Sequence, residues 1–139
     1  MSTLTTKAIE LGASLVYQFD EASGSLFDQV GSNNATASGT PDYQQAGVVG
    51  SKFGVGFDGS TDYFTLGSNV LNGASAYTIE CFAKRGSAST GVIFSETDAS
   101  TDGVNLFVGS PVARSRHNGI TTSGSTSINT TDYYHITAT

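Results

Sequence analysis

Frequent turn signals limit this chain to short elements. Its apolar runs are Leu15 to Phe19, Phe53 to Phe57, Tyr63 to Leu66, Tyr77 to Lys84, Gly91 to Ser95, Val104 to Val108 and Tyr133 to Thr139. Clusters of Gly, Asn, Asp and Ser separate them. In the clearest run, Tyr77, Ile79, Cys81 and Ala83 alternate with Thr78, Glu80, Phe82 and Lys84, the two-residue period of a strand. Gly31-Ser32-Asn33-Asn34 and Asp58-Gly59-Ser60 carry turn chemistry. Many short strands joined by frequent turns predict an all-β sandwich or barrel. One helical turn is expected from Thr6 to Leu11, stopped by Gly12, in an N-terminal arm over residues 1–12. Gly86 to Thr90 and Thr121 to Thr131 are polar and of low complexity, and read as loops.

Composition agrees with this pattern. Ser, Thr and Gly make up 54 of the 139 residues, and only 18 are charged. Such a chain verges on disorder. Its 37% apolar content, with eight Phe and six Tyr spread along the length, gives it enough to bury in one core. The net charge of −6 argues against nucleic acid, which needs a basic footprint. The two small basic clusters, Lys84-Arg85 and Arg114-Ser115-Arg116-His117, read as strand-end charge. Cys81 is the single cysteine and excludes an intrachain disulfide. Its place in an alternating run makes it a small buried hydrophobe. No stretch approaches the roughly 18 apolar residues of a membrane span, and residues 1–12 hold no long apolar core of a secretion signal.

The order of the pieces resembles the laminin G-like/concanavalin A-like jelly-roll family. Leu15-Val16-Tyr17-Gln18-Phe19-Asp20-Glu21-Ala22-Ser23-Gly24 is similar to its opening strand, and Asp28 with Gly31-Ser32-Asn33-Asn34-Ala35 to the turn that follows. The segment from Gly50 through Phe53, Phe57, Asp58 and Gly59 to Asp62-Tyr63 is the fullest match. Tyr77 to Lys84 resembles the central core strand, Val92-Ile93-Phe94-Ser95 the strand after it, and Tyr133 to Thr139 the aromatic-His-aliphatic-Ala-Thr strand. The resemblance covers residues 13–139. It implies an antiparallel jelly-roll β-sandwich. The family continues past this last strand, so the resemblance also implies that closing strands come from another copy, another protein or a longer natural chain. The sequence departs from sugar-binding relatives in having no tryptophan.

Glucanase members of the wider superfamily need closely spaced carboxylates on one strand. The corresponding strand here carries Glu80 alone, and Asp20 and Glu21, being adjacent, would face opposite ways. His117 and His135 have no Ser or Cys motif near them, and His135 reads as a strand residue bonding locally. Gly54, Gly56 and Gly59 precede no helix and no Lys-Ser/Thr pair, unlike a phosphate loop. The chain is therefore expected not to be an enzyme.

Calcium, which takes six to eight oxygen ligands, is the candidate cofactor. Asp102 and then Asp98, in a polar loop resembling the calcium loop of pentraxin-like relatives, are the first candidate ligands. Asp58 and Asp62, flanking the Phe-Asp-Gly turn, follow. The alternative for all four is turn capping.

Two functions are expected from these features. One is a structural module of a virion, such as a phage capsid-decoration or tail-fibre subunit, partnered by other copies of itself or other virion proteins. The other is a carbohydrate-binding or adhesion module of a bacterial protein, with a glycan as partner. The expected location is the virion, or else the cell surface or the outside of the cell by a signal-independent route. Neither nucleic-acid binding nor membrane insertion is expected.

Overall fold

A helix and a succession of antiparallel strands account for the regular structure. The structure is a computed structural model that describes residues 3–48, 52–71, 74–86, 90–96, 103–109, 111–117 and 120–139. In chain order the elements are α1 (Thr3–Glu10), β1 (Ala35–Ser38), β2 (Asp42–Ala46), β3 (Phe53–Gly56), β4 (Tyr63–Leu66), β5 (Ile79–Ala83), β6 (Gly91–Glu96), β7 (Val104–Val108), β8 (Ala113–His117), β9 (Ile120–Ser123) and β10 (Tyr134–Ala138). Every strand pairing is antiparallel, so the fold is all-β apart from α1. The described helix is too short to cross a membrane.

Helix α1 starts earlier than the sequence signals place it, but it stops where they do. Gly12 adopts φ +84°, its N–H donates to the Ile9 carbonyl, and the Ala13 N–H donates to the Ala8 carbonyl. These two bonds form a Schellman stop, which satisfies carbonyls the helix would otherwise leave open.

The chain divides into two units, Met1–Val70 and Leu71–Thr139. In the first, β1 pairs with β4 and β2 with β3. Leu26 bridges to Ala35 at the start of β1, and both are almost fully buried. Phe64 of β4 sits among three rings. Its ring centroid lies 6.2, 6.3 and 5.9 Å from those of Phe19, Tyr43 and Phe57, each pair nearly perpendicular. Edge-to-face packing of this kind adds about 1 kcal/mol per pair beyond burial itself.

The run Leu15 to Phe19 does not form the expected strand. Phe19 has φ +58°, outside the strand region, and the backbone of Val16 is bonded otherwise. Its N–H donates to Asp28 Oδ1 at 3.3 Å and its carbonyl accepts from the Gln29 N–H at 2.9 Å. A side chain here takes the place of a neighbouring strand. A related irregularity bends β2, where the pairing with β3 shifts between Asp42 and Gln45 and Gln44 lies at φ +59°. That is the signature of a bulge.

In the second unit, β6, β7, β8 and β9 form a sheet in sequential order, and β5 pairs with β10. The two sheets share one core. Leu106 and Val108 of β7 and Ile136 and Ala138 of β10 cluster with Ile128, and Ile79, Cys81 and Ala83 of β5 pack against them. The alternation read from the sequence survives intact in β5: Ile79, Cys81 and Ala83 turn inward while Glu80 and Phe82 remain exposed. Burying Leu106, only 1% exposed, contributes about 2 kcal/mol.

Two other expectations change. Arg114 to His117 is not charge at a strand end but the body of β8, with Arg114 and Arg116 exposed. Thr121 to Ser123, expected as loop, belongs to β9.

Candidate functional site

Of the four candidate calcium ligands, Asp98 and Asp102 lie outside the described residues. Asp58 and Asp62 are described, and the loop between β3 and β4 places them together. Asp58 Oδ1 accepts the backbone N–H groups of Ser60 and Thr61 at 2.8 Å and of Asp62 at 3.0 Å, while Oδ2 accepts the Thr61 hydroxyl at 2.8 Å. Asp62 Oδ2 accepts the Asp58 N–H at 3.0 Å, and Oδ1 accepts the Thr40 N–H at 2.8 Å. The N–H groups of Ser60 and Asp62, then the hydroxyl and N–H of Thr61, hold the Asp58 carboxyl well below the usual carboxylate range.

This arrangement is a turn cap. All four carboxylate oxygens accept hydrogen bonds, three of them from backbone N–H groups. Among the described residues, no three His, Cys, Asp or Glu side chains gather where they could hold a metal.

Asp28 plays the same part on a larger scale. Its carboxylate accepts N–H groups from Val16, Val30, Gly31 and Asn33. Burial raises its pKa, but the four donors outweigh burial and hold the carboxyl below its ordinary value. Burial, then the nearby Asp28 charge, pushes the Tyr17 phenol up, and that hydroxyl donates to the Asn33 carbonyl.

The chemically richest surface is the outer face of the β5–β10 pair. The register sets Phe82 opposite His135, and the rings stack at 4.7 Å with 19° between planes. His135 Nε2 lies 2.7 Å from Glu80 Oε1 on the paired strand, a cross-strand contact rather than the local bond expected of this residue. At the end of the ladder, Lys84 Nζ stands 5.8 Å above the Tyr133 ring. Phe82 and Tyr133 are exposed. Aromatic faces flanked by a carboxylate and an ammonium suit a polar ligand with apolar patches. The sequence run revealed each of these residues but not their assembly, since Glu80 and His135 are 55 positions apart.

Two polar groups are buried in a way the sequence did not signal. Arg85 is 9% exposed, and among the described residues its side chain bonds only the Ile128 carbonyl, from Nη2 at 3.0 Å. Glu21 uses Oε1 to accept the Phe27 N–H, leaving Oε2 buried with no partner. Cys81 faces the core as expected, and burial, followed by the Glu80 charge beside it, pushes its thiol up to about 11.

Compared with known protein families, with curated proteins and with solved structures, the chain matches none.

Proposed function

We propose that this chain is a non-catalytic structural or surface module with a concanavalin A/laminin G-like jelly-roll fold. Its setting is a virion, as a capsid-decoration or tail-fibre protein that assembles with copies of itself or with other virion proteins. The observation that carries the reading is the row of open strand edges. Strand β9 ends the four-stranded sheet with all its residues exposed, Ile120 at 73%. It holds no Lys and no Pro, the residues that commonly guard an edge. Among the described residues, the other sheets have two strands each, so their strands also have an open side. Such edges offer N–H and C=O groups to another chain.

A second reading has its own support. The exposed rings of Phe82 and Tyr133, beside Glu80, Lys84 and His135, favour attachment to a glycan. The chain is then a carbohydrate-binding or adhesion module, and the two readings are compatible on one particle surface. Calcium enters either reading through Asp98 and Asp102.

The mass of the protein in solution, measured by light scattering with calcium and then with a chelator, tests the proposal. A defined oligomer supports assembly through the edges. A monomer at all concentrations, unable to join any particle, overturns it. A glycan array tests the second reading, and a blank array with and without calcium removes it. A change of mass or of glycan binding on chelation places calcium in the function.

A further inference from the structure

We propose that Arg85 forms the base of an oxyanion-binding site. The inference goes beyond the assembly reading and rests on a different observation.

A guanidinium keeps its charge and presents five N–H donors in a rigid fork. In Arg85 only Nη2 has found an acceptor, the neutral carbonyl of Ile128. Nε and Nη1 are buried with no partner. A charge taken from water without a counter-charge is among the least favourable arrangements a fold can hold. The burial is built in and not incidental. Ile128 anchors the site from three directions: its side chain lies in the core, its N–H donates to the Pro111 carbonyl at 2.6 Å, and its own carbonyl holds the guanidinium.

The described acidic groups of the same unit are engaged elsewhere. Glu80 bonds His135, Glu96 accepts the Leu71 N–H, and Asp132 accepts from Asn129 Nδ2. None of these three groups is bonded to Arg85, so the guanidinium has no counter-charge among the described residues. The forked geometry selects the ligand class: a carboxylate or a phosphate- or sulfate-type group, which can take two parallel N–H bonds. Two sources share this chemistry, a free ion and an acidic side chain from a second copy of the chain. Because Nε and Nη1 are shielded, entry requires a local opening, and occupancy then stabilises the folded state by mass action.

The test is thermal unfolding of the full chain at constant ionic strength, with chloride replaced by sulfate, phosphate or acetate. Sulfate and phosphate stabilise most proteins by exclusion from the surface, an effect that does not saturate. The comparison is therefore with Arg85→Met, which keeps the packing of the stem and removes the charge. For a free ion, the native chain shows an additional saturable rise of Tm, about 4 °C at ten times the dissociation constant. That rise is independent of protein concentration and absent from the variant. For a second copy's carboxylate, Tm rises with protein concentration and light scattering gives a doubled mass, both lost in Arg85→Met. If the two proteins respond identically to the anions and have the same mass, the proposal is overturned. Should Arg85→Met fail to fold, Arg85→Lys keeps the charge but not the fork. It is expected to bind about tenfold more weakly, and an unchanged response in that variant overturns the proposal equally.

Discussion

The backbone N–H of Val16 donates to the carboxylate of Asp28, twelve residues further along the chain, at 3.3 Å. The bond ties the Leu15–Phe19 run to the turn that follows it. Asp28 also collects the N–H groups of Val30, Gly31 and Asn33. Asp28→Ala leaves these donors without their acceptor, and a loss of about 2 kcal/mol in denaturant unfolding is expected. The carboxyl is held below its ordinary value of 3.8 in the folded state. Its contribution is therefore complete above that value and is lost as the pH falls below it. Acid unfolding should begin at higher pH in a variant weakened elsewhere in the first unit, but Asp28→Asn should show a flatter acid limb.

Gly39 tests the second carboxylate-centred corner. It has φ +74°, and an added Cβ would stand 2.8 Å from the Thr61 carbonyl oxygen and closer still to the Asp62 carboxylate. Gly39→Ala therefore combines backbone strain with a clash against the group that accepts the Thr40 N–H. A destabilisation of about 3 kcal/mol is expected, measured by chemical denaturation. Carboxyl NMR titration should find Asp58 ionised well below the usual range while the fold persists.

Cys81 should be inert while the chain is folded. With its thiol pushed up to about 11, almost no thiolate exists at pH 8, and the half-buried side chain packs against the core. Thiol reagents should modify it far more slowly than they modify the unfolded chain. The sign of the linkage is opposite to that of Asp28. The folded state holds this proton more tightly than the unfolded chain, so the stability it contributes is complete below about 9 and is lost as pH rises towards 11.

Ile120 tests the open edge. Because it is 73% exposed, Ile120→Lys should change the free energy of unfolding by less than about 0.5 kcal/mol. A lysine on an edge strand discourages pairing with another chain. The oligomer expected of the native protein should shift towards monomer in light scattering.

The elements that the sequence made legible are those whose pattern matches one buried face. Val104–Val108 alternates between core and margin, and β7 has those bounds. Ile79, Cys81 and Ala83 point inward as their spacing requires. Strands β1, β2 and β9 were not legible, because Ala-Thr-Ala-Ser alternates only small side chains, Asp-Tyr-Gln-Gln-Ala and Ile-Thr-Thr-Ser carry no apolar alternation, and all three owe their form to a pairing partner. Leu15 to Phe19 misled in the other direction: apolar residues bury there without a ladder, around a side chain that replaces one. At the candidate sites, Asp58 and Asp62 were legible as a pair, and their turn capping follows from the short Asp-Gly-Ser-Thr-Asp spacing. Arg85 reads in sequence as half of a basic dipeptide. Its burial depends on a carbonyl 43 residues away, a relationship that no local pattern carries.

The Asp58 turn also bears on how the molecule ages. An aspartate followed by glycine can rearrange its own backbone, when the glycine nitrogen attacks the neighbouring carboxyl carbon. Here the carboxylate is kept ionised, a poor electrophile, and is tethered by Ser60, Thr61 and Asp62 while Gly59 is fixed at φ +74°. The folded chain thereby shields this peptide link, and isoaspartate at position 58 would record time spent unfolded.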